Sequence, residues 1–323
     1  MFRGTKQGLC MKIEKKDKIL VTGGTGFLGK AVRQELLFKG YKSVYPIGSS
    51  FDLTEQFRCR GVYDMFNPSV VIHLAAKVGG IGANKENPGK FIHDNLAMGV
   101  NIIEQGRAKG IKKFVMVGTV CSYPKFTPVP FREEEIWNGY PEETNAPYGI
   151  AKKTLMQMVI SYKEQYGFNG INLIPVNMYG PYDNFDPSIS HVIPALILKF
   201  DEAIKNGENE VTVWGTGSAS REFLYVEDCA EAIVMAMENH NDPHPVNIGT
   251  GKEISIKNLV ELIAEQMNYG GKIIWDKSKP DGQPRRCLDT TKAESFGFEA
   301  ETSLKEGLQE TIEWFNDNRN SLF

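Results

Sequence analysis

Tyr148 and Lys152 form a pair whose residue types and spacing point to chemistry. They are four positions apart in a segment with a helical pattern, so their side chains share one face. A lysine ammonium beside a phenol favours the phenolate, and we expect it to lower the pKa of Tyr148. Such a phenol could exchange a proton with a carbonyl or hydroxyl substrate near neutral pH. Thr119 follows a predicted strand, where its hydroxyl could hold the same substrate oxygen.

A glycine-rich turn near the start of the chain predicts a nucleotide site. Gly23, Gly26 and Gly29 form the pattern G-x-x-G-x-x-G between a short apolar run and an amphipathic segment. Glycine permits the tight turn, the close approach of backbone to a pyrophosphate, and the packing of the helix on the sheet. The pyrophosphate would accept hydrogen bonds from the N-terminus of that helix. Lys152 could then reach the nicotinamide ribose of a bound dinucleotide.

The end of the second predicted strand favours NADP(H) over NAD(H). An NAD site usually carries a carboxylate about 20 residues after the turn, where it binds the ribose diol. Gly48-Ser49-Ser50 occupies that position and has no carboxylate to repel a 2′-phosphate, although no arginine is evident nearby. Ser49 and Ser50 supply two hydroxyls that could receive the phosphate. Asp52 could bind the adenine amino group, or it could be a solvated turn residue.

Apolar runs alternate with helical patterns up to residue 180, which predicts an α/β fold with a doubly wound parallel (Rossmann) sheet. Beyond that point the elements are shorter, and no linker rich in Pro, Gly or Ser separates the two halves. We expect a frayed extension over 1–17, an NADP-binding Rossmann domain over 18–180 and a smaller mixed α/β domain over 181–323, with segments around 211–250 returning to the first domain. The predicted strands are 18–22, 44–47, 70–76, 114–118, 171–175, 211–214 and 222–226, and the predicted helices include 91–109, 148–166, 192–205 and 229–239.

Composition and charge exclude several classes of protein. There are 37 Lys and Arg against 40 Asp and Glu, a formal net charge of −3, so no global field favours nucleic acid or an anionic membrane. No apolar run approaches the ~20 residues of a spanning helix. The first residues lack the apolar stretch of a secretory signal. The five cysteines are widely spaced, without C-x-x-C, and the histidines lack H-E-x-x-H, so we expect a cytoplasmic protein without disulfides or a metal site.

Several segments in the same order along the chain carry a resemblance to a known family. They are Ala75-Ala-Lys-Val-Gly-Gly-Ile81, Cys121-Ser-Tyr-Pro124, Tyr148-Gly-Ile-Ala-Lys152, Val176-Asn-Met-Tyr-Gly-Pro181, Asp183-Asn-Phe185, Ser190-His-Val-Ile-Pro-Ala-Leu196, Val213-Trp-Gly-Thr-Gly217, Arg221-Glu-Phe223 and Lys279-Pro-Asp-Gly282. Together they resemble the extended short-chain dehydrogenase/reductase family over essentially all of residues 18–323. Within that family the chain is similar to the epimerase-reductases that act on GDP-4-keto-6-deoxy-D-mannose.

The resemblance implies epimerisation of the 4-keto sugar at C3 and C5, followed by hydride transfer from NADPH to C4. Cys121 and His191 match the acid and base positions for epimerisation, for which a thiol and an imidazole are suitable groups. Thr119, Tyr148 and Lys152 match the reduction site. The residues implied in cofactor binding are Gly23, Gly26, Phe27, Leu28, Gly29, Ser49, Ser50, Asp52, Ala75, Lys152, Pro175, Asn177, Met178 and His191, and those implied in binding the GDP-sugar are Asn177, Lys199, Trp214, Arg221 and Asp281.

Two positions depart from the family pattern. Thr119 occupies a position where serine is common, and its additional methyl group could alter the placement of the sugar. Ser122 follows Cys121 at a position where a larger apolar residue is usual, so we expect a more polar pocket wall. These differences leave the identity of the sugar open, whereas the reaction class is unaffected.

Three alternatives remain open on the sequence alone. A related enzyme could act on another GDP-4-keto sugar, such as a dideoxyhexose or a heptose, with epimerisation and reduction or with reduction alone. Cys121 and His191 favour epimerisation. A nucleotide-sugar 4,6-dehydratase would carry an acidic pair where this chain has Val120-Cys121. A non-catalytic NADP-binding module would typically lack Tyr148 or Lys152.

The resemblance also implies a homodimer, assembled as a four-helix bundle from the helices 91–109 and 148–166 of each subunit. The second helix is rich in apolar residues, more so than one buried face requires. These residues are Leu155, Met156, Met158, Val159 and Ile160.

Overall fold

The computed structural model describes residues 12–79, 84, 86–187, 189–279 and 281–323. Its strands are Ile19–Thr22 (β1), Val44–Ile47 (β2), Val70–His73 (β3), Lys113–Val117 (β4), Gly170–Pro175 (β5), Asn177–Tyr179 (β6), Glu210–Trp214 (β7), Ser220–Tyr225 (β8), Pro245–Ile248 (β9), Glu253–Ser255 (β10) and Lys272–Asp276 (β11). Its helices are Phe27–Phe38 (α1), Gln56–Phe66 (α2), Pro88–Lys109 (α3), Ala146–Tyr166 (α4), Val192–Asn206 (α5), Val226–Asn239 (α6), Ile256–Gln266 (α7), Thr291–Glu294 (α8) and Leu304–Leu322 (α9), with short 3₁₀ helices at Val120–Ser122 and Glu133–Trp137.

Six parallel strands form the main sheet, in the order β2-β1-β3-β4-β5-β9. The strand order reverses at β1, because β2 lies on one side of it and β3 on the other. In doubly wound sheets, ligands bind beyond the carboxyl ends of the strands at this switch point. The α/β fold with a doubly wound parallel sheet is therefore confirmed, and its switch point lies where β1 and β3 end.

Helices cover both faces of the main sheet. Successive side chains of a strand point to opposite faces. Ile19 and Val21 accordingly pack with apolar side chains of α1 and α6, whereas Leu20 packs with those of α2, α3 and α4. Burial on both faces explains why these strands read as continuous apolar runs rather than as alternating patterns.

The C-terminal half contributes to the main layer and also forms a second core. Its helix α6 and strand β9 pack against the main sheet. The second core contains buried side chains such as Phe200 of α5, Leu259 of α7 and Phe315 of α9. Around it lie a three-stranded sheet in the order β10-β8-β6 and the parallel pair β7 and β11. Strand β6 carries Asn177, and strand β8 carries Arg221.

Some boundaries differ from the sequence-based predictions. The strand predicted over 70–76 ends at His73, because the chain then bends toward the glycine turn, and the Ala75 N–H donates to Thr22 Oγ1 at 3.3 Å. The helix α2 was not anticipated, since its sequence is largely polar and only Cys59, Val62 and Tyr63 are buried. Among the described residues, no helix is long and apolar enough to cross a membrane.

The residues before β1 are only partly described. Residues 1–11 of the expected extension, together with Gly80, Ile81 and Pro280 of the resemblance segments, lie outside the described residues. Lys15 forms an ion pair with Glu238 at 2.6 Å, and Asp17 forms one with Lys112 at 2.7 Å.

Candidate active site

The glycine turn lies at the switch point of the main sheet and is tightly packed. Gly23 has a φ of +70°, and a Cβ there would lie 2.9 Å from the backbone nitrogen of Ala75. A Cβ at Gly29 would come closer than 3.0 Å to the backbone of Gly23 and Gly24. Gly26 begins α1 without a side-chain cap, so the N–H groups of Phe27 and Leu28 at the helix start can bind an anion.

The residues after β2 form an exposed loop. Ser49 and Ser50 are exposed. Asp52 accepts hydrogen bonds from the N–H and the hydroxyl of Thr54, at 3.0 and 2.6 Å, so it closes a turn. These bonds lower the pKa of Asp52, and the positive charge of Arg58 contributes. Arg58, in the first turn of α2, therefore lies within electrostatic range of Asp52, although no arginine is evident near this loop from the sequence.

Tyr148 and Lys152 lie in the first turns of α4, and both side chains are buried. Lys152 Nζ donates to the carbonyl oxygen of Val117 at 2.9 Å, and burial lowers the pKa of Lys152 to about 8. Burial raises the pKa of Tyr148, while a hydrogen bond with Thr119 opposes the rise. The expected lowering of the Tyr148 pKa by Lys152 is wrong for this structure, because the ammonium is directed at Val117 and lies 6.0 Å from the centre of the phenol ring.

Cys121 lies in a 3₁₀ helix directly after β4 and is partly exposed. Thr119 caps that helix, and its Oγ1 accepts the Cys121 N–H at 3.2 Å. Ser122 is fully buried and donates to the carbonyl oxygen of Gly149 at 3.0 Å. The expectation that Ser122 makes the pocket wall more polar is therefore wrong, because its hydroxyl is buried and forms a hydrogen bond between the 3₁₀ helix and α4.

Arg286 is a site residue that the sequence analysis missed. Its Nη1 lies 3.9 Å from Cys121 Sγ, and Gln283 Oε1 accepts from its Nε and Nη2 at 3.3 and 3.0 Å. Arg221 lies within electrostatic range of Arg286. Burial, and then the charge of Arg286, lower the pKa of Arg221 to about 10. The only signal in the sequence was the pair Arg285-Arg286, four residues beyond Asp281.

His191 is the N-cap residue of α5. Its side chain is exposed to solvent, yet desolvation by the protein atoms around it lowers the pKa of the imidazole. Among the described residues, no hydrogen bond joins His191 to Cys121. The structure thus joins Thr119 and Cys121 to the start of α4, which carries Tyr148 and Lys152, whereas His191 lies at the start of α5.

The residues expected to bind the GDP-sugar lie on neighbouring elements of the second core. Arg221 Nη2 lies 3.4 Å from the carbonyl oxygen of Asp281. The carboxylate of Asp281 accepts from the N–H and the hydroxyl of Thr216, both at 2.7 Å. Lys199 donates to the carbonyl oxygen of Thr212 at 2.7 Å, two residues before the exposed Trp214. These contacts link Arg221 to Asp281, and they link Asp281 and Lys199 to the residues on either side of Trp214.

The remaining predicted residues lie at or just beyond the carboxyl ends of β3 and β5. Asn177 on β6 donates to the carbonyl oxygen of Glu222 at 3.0 Å, which fixes its amide beside Arg221. Pro175 is buried at the carboxyl end of β5, and Met178 and Ala75 are half-buried. No group of three His, Cys, Asp or Glu side chains within the described part of the chain could hold a metal ion.

Glu222 supports the site through its backbone contacts, a role that the sequence did not predict. Its buried carboxylate accepts the N–H groups of Thr250 at 2.6 Å and Gly251 at 2.8 Å, and that of Leu288 at 2.7 Å. It therefore fastens strand β8, which carries Arg221, to the segment that carries Arg286. Burial raises the pKa of Glu222, and these backbone donors oppose the rise.

Comparison with known families agrees with this arrangement. The sequence profile of the NAD dependent epimerase/dehydratase family matches residues 19–249. The chain belongs to this family. The match contains the glycine turn, Cys121, Tyr148, Lys152 and His191, so the family resemblance seen in the sequence is confirmed, and the protein is an enzyme with a nicotinamide cofactor.

Individual relatives match nearly the whole chain. GDP-L-fucose synthase 1 of Arabidopsis thaliana is 41% identical over 94% of this chain and 95% of its own length. GDP-L-colitose synthase of Yersinia pseudotuberculosis is 36% identical over 94% of this chain and 99% of its own length. The crystal structure of a GDP-L-fucose synthetase from Naegleria fowleri superposes with a TM-score of 0.89 at 31% identity, covering 96% of this chain and 97% of that one.

Proposed function

We propose that the protein is an NADPH-dependent epimerase-reductase that converts GDP-4-keto-6-deoxy-D-mannose to GDP-L-fucose. The observation that carries the proposal is the contact between the 3₁₀ helix that carries a thiol and the helix that carries a tyrosine–lysine pair. A partly exposed thiol, Cys121, lies on a 3₁₀ helix that is bonded through Ser122 and Gly149 to the helix carrying Tyr148 and Lys152. The relatives named for GDP-L-fucose synthesis, which are 31–41% identical over nearly the full length, support this substrate.

Epimerisation requires an acid and a base on opposite faces of the sugar. The C3–H and C5–H bonds are acidic because both carbons are adjacent to the C4 carbonyl. Cys121 and His191 are the residues assigned to these two roles, since both side chains are accessible to solvent and both match the acid and base positions that the family resemblance implies. The lowered pKa of His191 keeps a large fraction of the imidazole neutral, and therefore able to accept a proton, near pH 7.

Reduction at C4 requires a proton for O4. Burial raises the pKa of Tyr148, so the phenol keeps its proton near neutral pH and can donate it to O4. The Thr119 hydroxyl, which lowers the pKa of Tyr148 from close by, can hold the same oxygen. Lys152, with a pKa of about 8, is mostly charged at pH 7 and is fixed by Val117, which suits it to orient a ribose. NADPH, when bound, supplies the hydride for C4.

The residues present fit NADP(H). A Cβ at Gly23 or Gly29 would fill the turn at the start of α1, so glycine keeps that cradle open for a pyrophosphate. Phe27 and Leu28 supply N–H groups, and Ser49, Ser50 and Arg58 would receive the 2′-phosphate without a carboxylate at 48–50 to repel it. Asp52, Ala75, Pro175, Asn177, Met178 and His191 complete the proposed cofactor set.

Arg221, Lys199, Trp214, Asp281 and Asn177 are assigned to the GDP end of the substrate. Arg221 suits the diphosphate, because no carboxylate forms an ion pair with its side chain among the described residues. Trp214, with 68% of its surface exposed, offers a flat apolar face to the base. Lys199 and Asp281 would then contact the phosphate and ribose hydroxyls.

The decisive experiment is an assay of the full-length protein with NADPH and a panel of 4-keto nucleotide sugars. Consumption of NADPH is followed by its absorbance, and the products are identified by mass spectrometry and NMR. We expect the fastest oxidation with GDP-4-keto-6-deoxy-D-mannose and GDP-L-fucose as product. Absence of NADPH oxidation with that sugar would contradict the proposal.

A second candidate is the same chemistry on a related GDP-4-keto sugar, with a dideoxyhexose favoured by the GDP-L-colitose synthase relative. A heptose is a further member of the panel. The preference is decided by kcat/KM, and a dideoxy or heptose substrate turned over at least about tenfold better would replace the first proposal.

Domain roles, assembly and location complete the proposal. Residues 18–180 bind NADP(H), and 181–323 mainly bind the GDP-sugar, with segments around 211–250 contributing to the Rossmann layer. The enzyme is cytoplasmic and forms a homodimer through α3 and α4. Leu155, Met156, Val159 and Ile160 are buried within the subunit, so the dimer proposal rests instead on the outward face of α4.

That outward face carries a shallow depression of about 500 Å³ lined by Trp137, Ile150, Met158 and polar neighbours. Val100 on α3 is also 42% exposed. Two copies of such a face bury apolar surface from water when they meet. Light scattering should give the dimer mass at micromolar concentration, and monomer mass alone would contradict this part of the proposal.

A further inference from the structure

An unneutralised guanidinium lies beside the thiol of Cys121. Arg286 Nη1 is 3.9 Å from Sγ, and both side chains are only partly exposed. Among the ion pairs between described residues, none includes Arg286, whereas the neighbouring Arg285 pairs with Glu253. The guanidinium beside the sulfur therefore forms no ion pair with a carboxylate of the described residues.

The guanidinium is held in place from the side away from the sulfur. Gln283 Oε1 accepts from Nε and Nη2 of Arg286, and Gln283 Nε2 donates to the carbonyl oxygen of Lys125 at 2.8 Å. The backbone is fixed as well, because the Glu222 N–H donates to the Arg286 carbonyl oxygen at 3.2 Å. Nε and Nη2 of the guanidinium are thus occupied by Gln283, and Nη1 is directed at Cys121.

We infer that Arg286 is the charge partner of Cys121 and stabilises its thiolate during epimerisation. The inference rests on the proposed function, in which Cys121 exchanges a proton with a carbon next to the keto group. When the thiolate acts as base, the C–H bond breaks, an S–H bond forms, and the electron pair passes into an enolate over C4 and O4. When the thiol acts as acid, the same bonds change in reverse and the thiolate remains. Both directions contain the ionised sulfur, which a fixed positive charge favours.

Arginine is better suited to this role than lysine. The guanidinium remains charged at any accessible pH and is planar, so Gln283 can hold two of its nitrogens while the third faces the sulfur. A lysine has a single flexible ammonium, which Gln283 cannot hold in the same way. The identity of the residue at 286 should therefore matter beyond its charge.

The test uses Arg286→Gln and Arg286→Lys in the full-length protein, with Arg285→Gln as the matched control. The rate of alkylation of Cys121 by iodoacetamide is measured by peptide mass spectrometry, without substrate, from about pH 6 to about pH 9. Cys59, Cys229 and Cys287 are buried, and peptide mapping separates Cys121 from every other cysteine. Solvent deuterium exchange into the 4-keto sugar, without NADPH, is measured on the same variants.

We expect Arg286→Gln to slow alkylation of Cys121 at neutral pH by about tenfold and to move its pH profile toward higher pH. Arg286→Lys should restore part of the rate, Arg285→Gln should behave as wild type, and deuterium exchange should fall in parallel with alkylation. If Arg286→Gln does not fold by circular dichroism, Gln283→Ala releases the guanidinium without replacing it and should slow alkylation in the same direction.

An unchanged alkylation profile in folded Arg286→Gln would overturn the inference, and so would a raised KM for the GDP-sugar with alkylation intact, which would assign Arg286 to binding alone. The two proposals can fail separately. If wild-type protein incorporates no deuterium while Arg286→Gln still slows alkylation, the charge partnership stands and the proposed epimerisation fails.

Discussion

The carbonyl group of Cys121 lies so close to the α carbon of Gly149 that a Cβ at residue 149 would come within 3.0 Å of it. The thiol and the Tyr148–Lys152 pair are therefore joined through one backbone contact. Ser122 reinforces this contact by donating to the Gly149 carbonyl oxygen. The two half-reactions proposed for the enzyme thus depend on the same small interface between a 3₁₀ helix and α4.

Gly149→Ala should impair both half-reactions together. The added methyl group must push the Cys121 carbonyl away, which displaces the thiol and the start of α4. A displacement on the order of 1 Å can lower a rate by about 10²-fold. The measurements are NADPH oxidation and solvent deuterium exchange, with Gly61→Ala in α2 as the control, because a Cβ there meets nothing within 4 Å. Loss of only one of the two activities would contradict the shared interface.

Tyr148→Phe should abolish most of the reduction while leaving cofactor binding intact. The variant removes the phenolic proton that O4 needs and keeps the ring that packs in the core. A fall in kcat of about 10²- to 10⁴-fold is expected for the loss of a general acid. Fluorescence titration with NADPH checks binding, and Tyr140→Phe, at an exposed tyrosine, is the control. Reduction close to the wild-type rate would remove Tyr148 from the mechanism.

Ser49→Asp should shift the cofactor preference from NADPH toward NADH. The new carboxylate would lie where the 2′-phosphate is expected and would repel it, whereas a free ribose diol could donate hydrogen bonds to it. The measurement is the ratio of kcat/KM for the two cofactors. Ser321→Asp adds the same charge at the far C-terminus and should leave the ratio unchanged. Equal use of NADPH and NADH by the wild-type protein would refute the assignment of this loop.

Asp183→Asn should stabilise the protein increasingly as the pH rises. Asp183 is 6% exposed, and its Oδ2 has no hydrogen-bond partner among the described residues. Burial raises the pKa of this carboxyl from 3.8 to about 7. The folded state therefore binds the proton more tightly than the unfolded state, and wild-type stability is lost as the pH rises through this window. Asparagine cannot ionise and avoids this loss.

The free energy of unfolding of Asp183→Asn, relative to wild type, should grow by roughly 2–4 kcal/mol between about pH 4 and about pH 8. Urea denaturation at several pH values provides the measurement. Asp64→Asn, at an exposed aspartate that pairs with Lys109 on the surface, should show a much flatter difference. A pH-independent difference for Asp183→Asn would show that its carboxyl titrates normally.

The parts of the fold that were predictable are those governed by local patterns. The strand at 44–47 follows from its apolar pattern, and the position of Tyr148 and Lys152 on one helix face follows from their spacing. Both features appear in the structure. Helix α2 was missed because its polar sequence buries few residues. Spacing also could not reveal how deeply Tyr148 is buried, which is why the direction of its pKa shift was wrong.

Arg286 illustrates a contact that no local pattern reveals. It is 165 positions from Cys121 in the chain. Their proximity depends on a backbone hydrogen bond from the Phe131 N–H to the Cys287 carbonyl oxygen at 2.8 Å, and on the carboxylate of Glu222. Each of these is a tertiary contact between segments that are individually unremarkable in sequence.

The central claim, that one site both epimerises and reduces, is tested most directly by mass spectrometry of GDP-4-keto-6-deoxy-D-mannose incubated in heavy water without NADPH. Wild-type protein should introduce one deuterium at C3 and one at C5. Cys121→Ser keeps the shape but would need an alkoxide far too basic to form at neutral pH, so it should stop deuterium from entering C3 and C5. Wild-type protein that reduces the sugar with NADPH yet incorporates no deuterium, or undiminished uptake by Cys121→Ser, would contradict the account and indicate a simple 4-reductase or a different base.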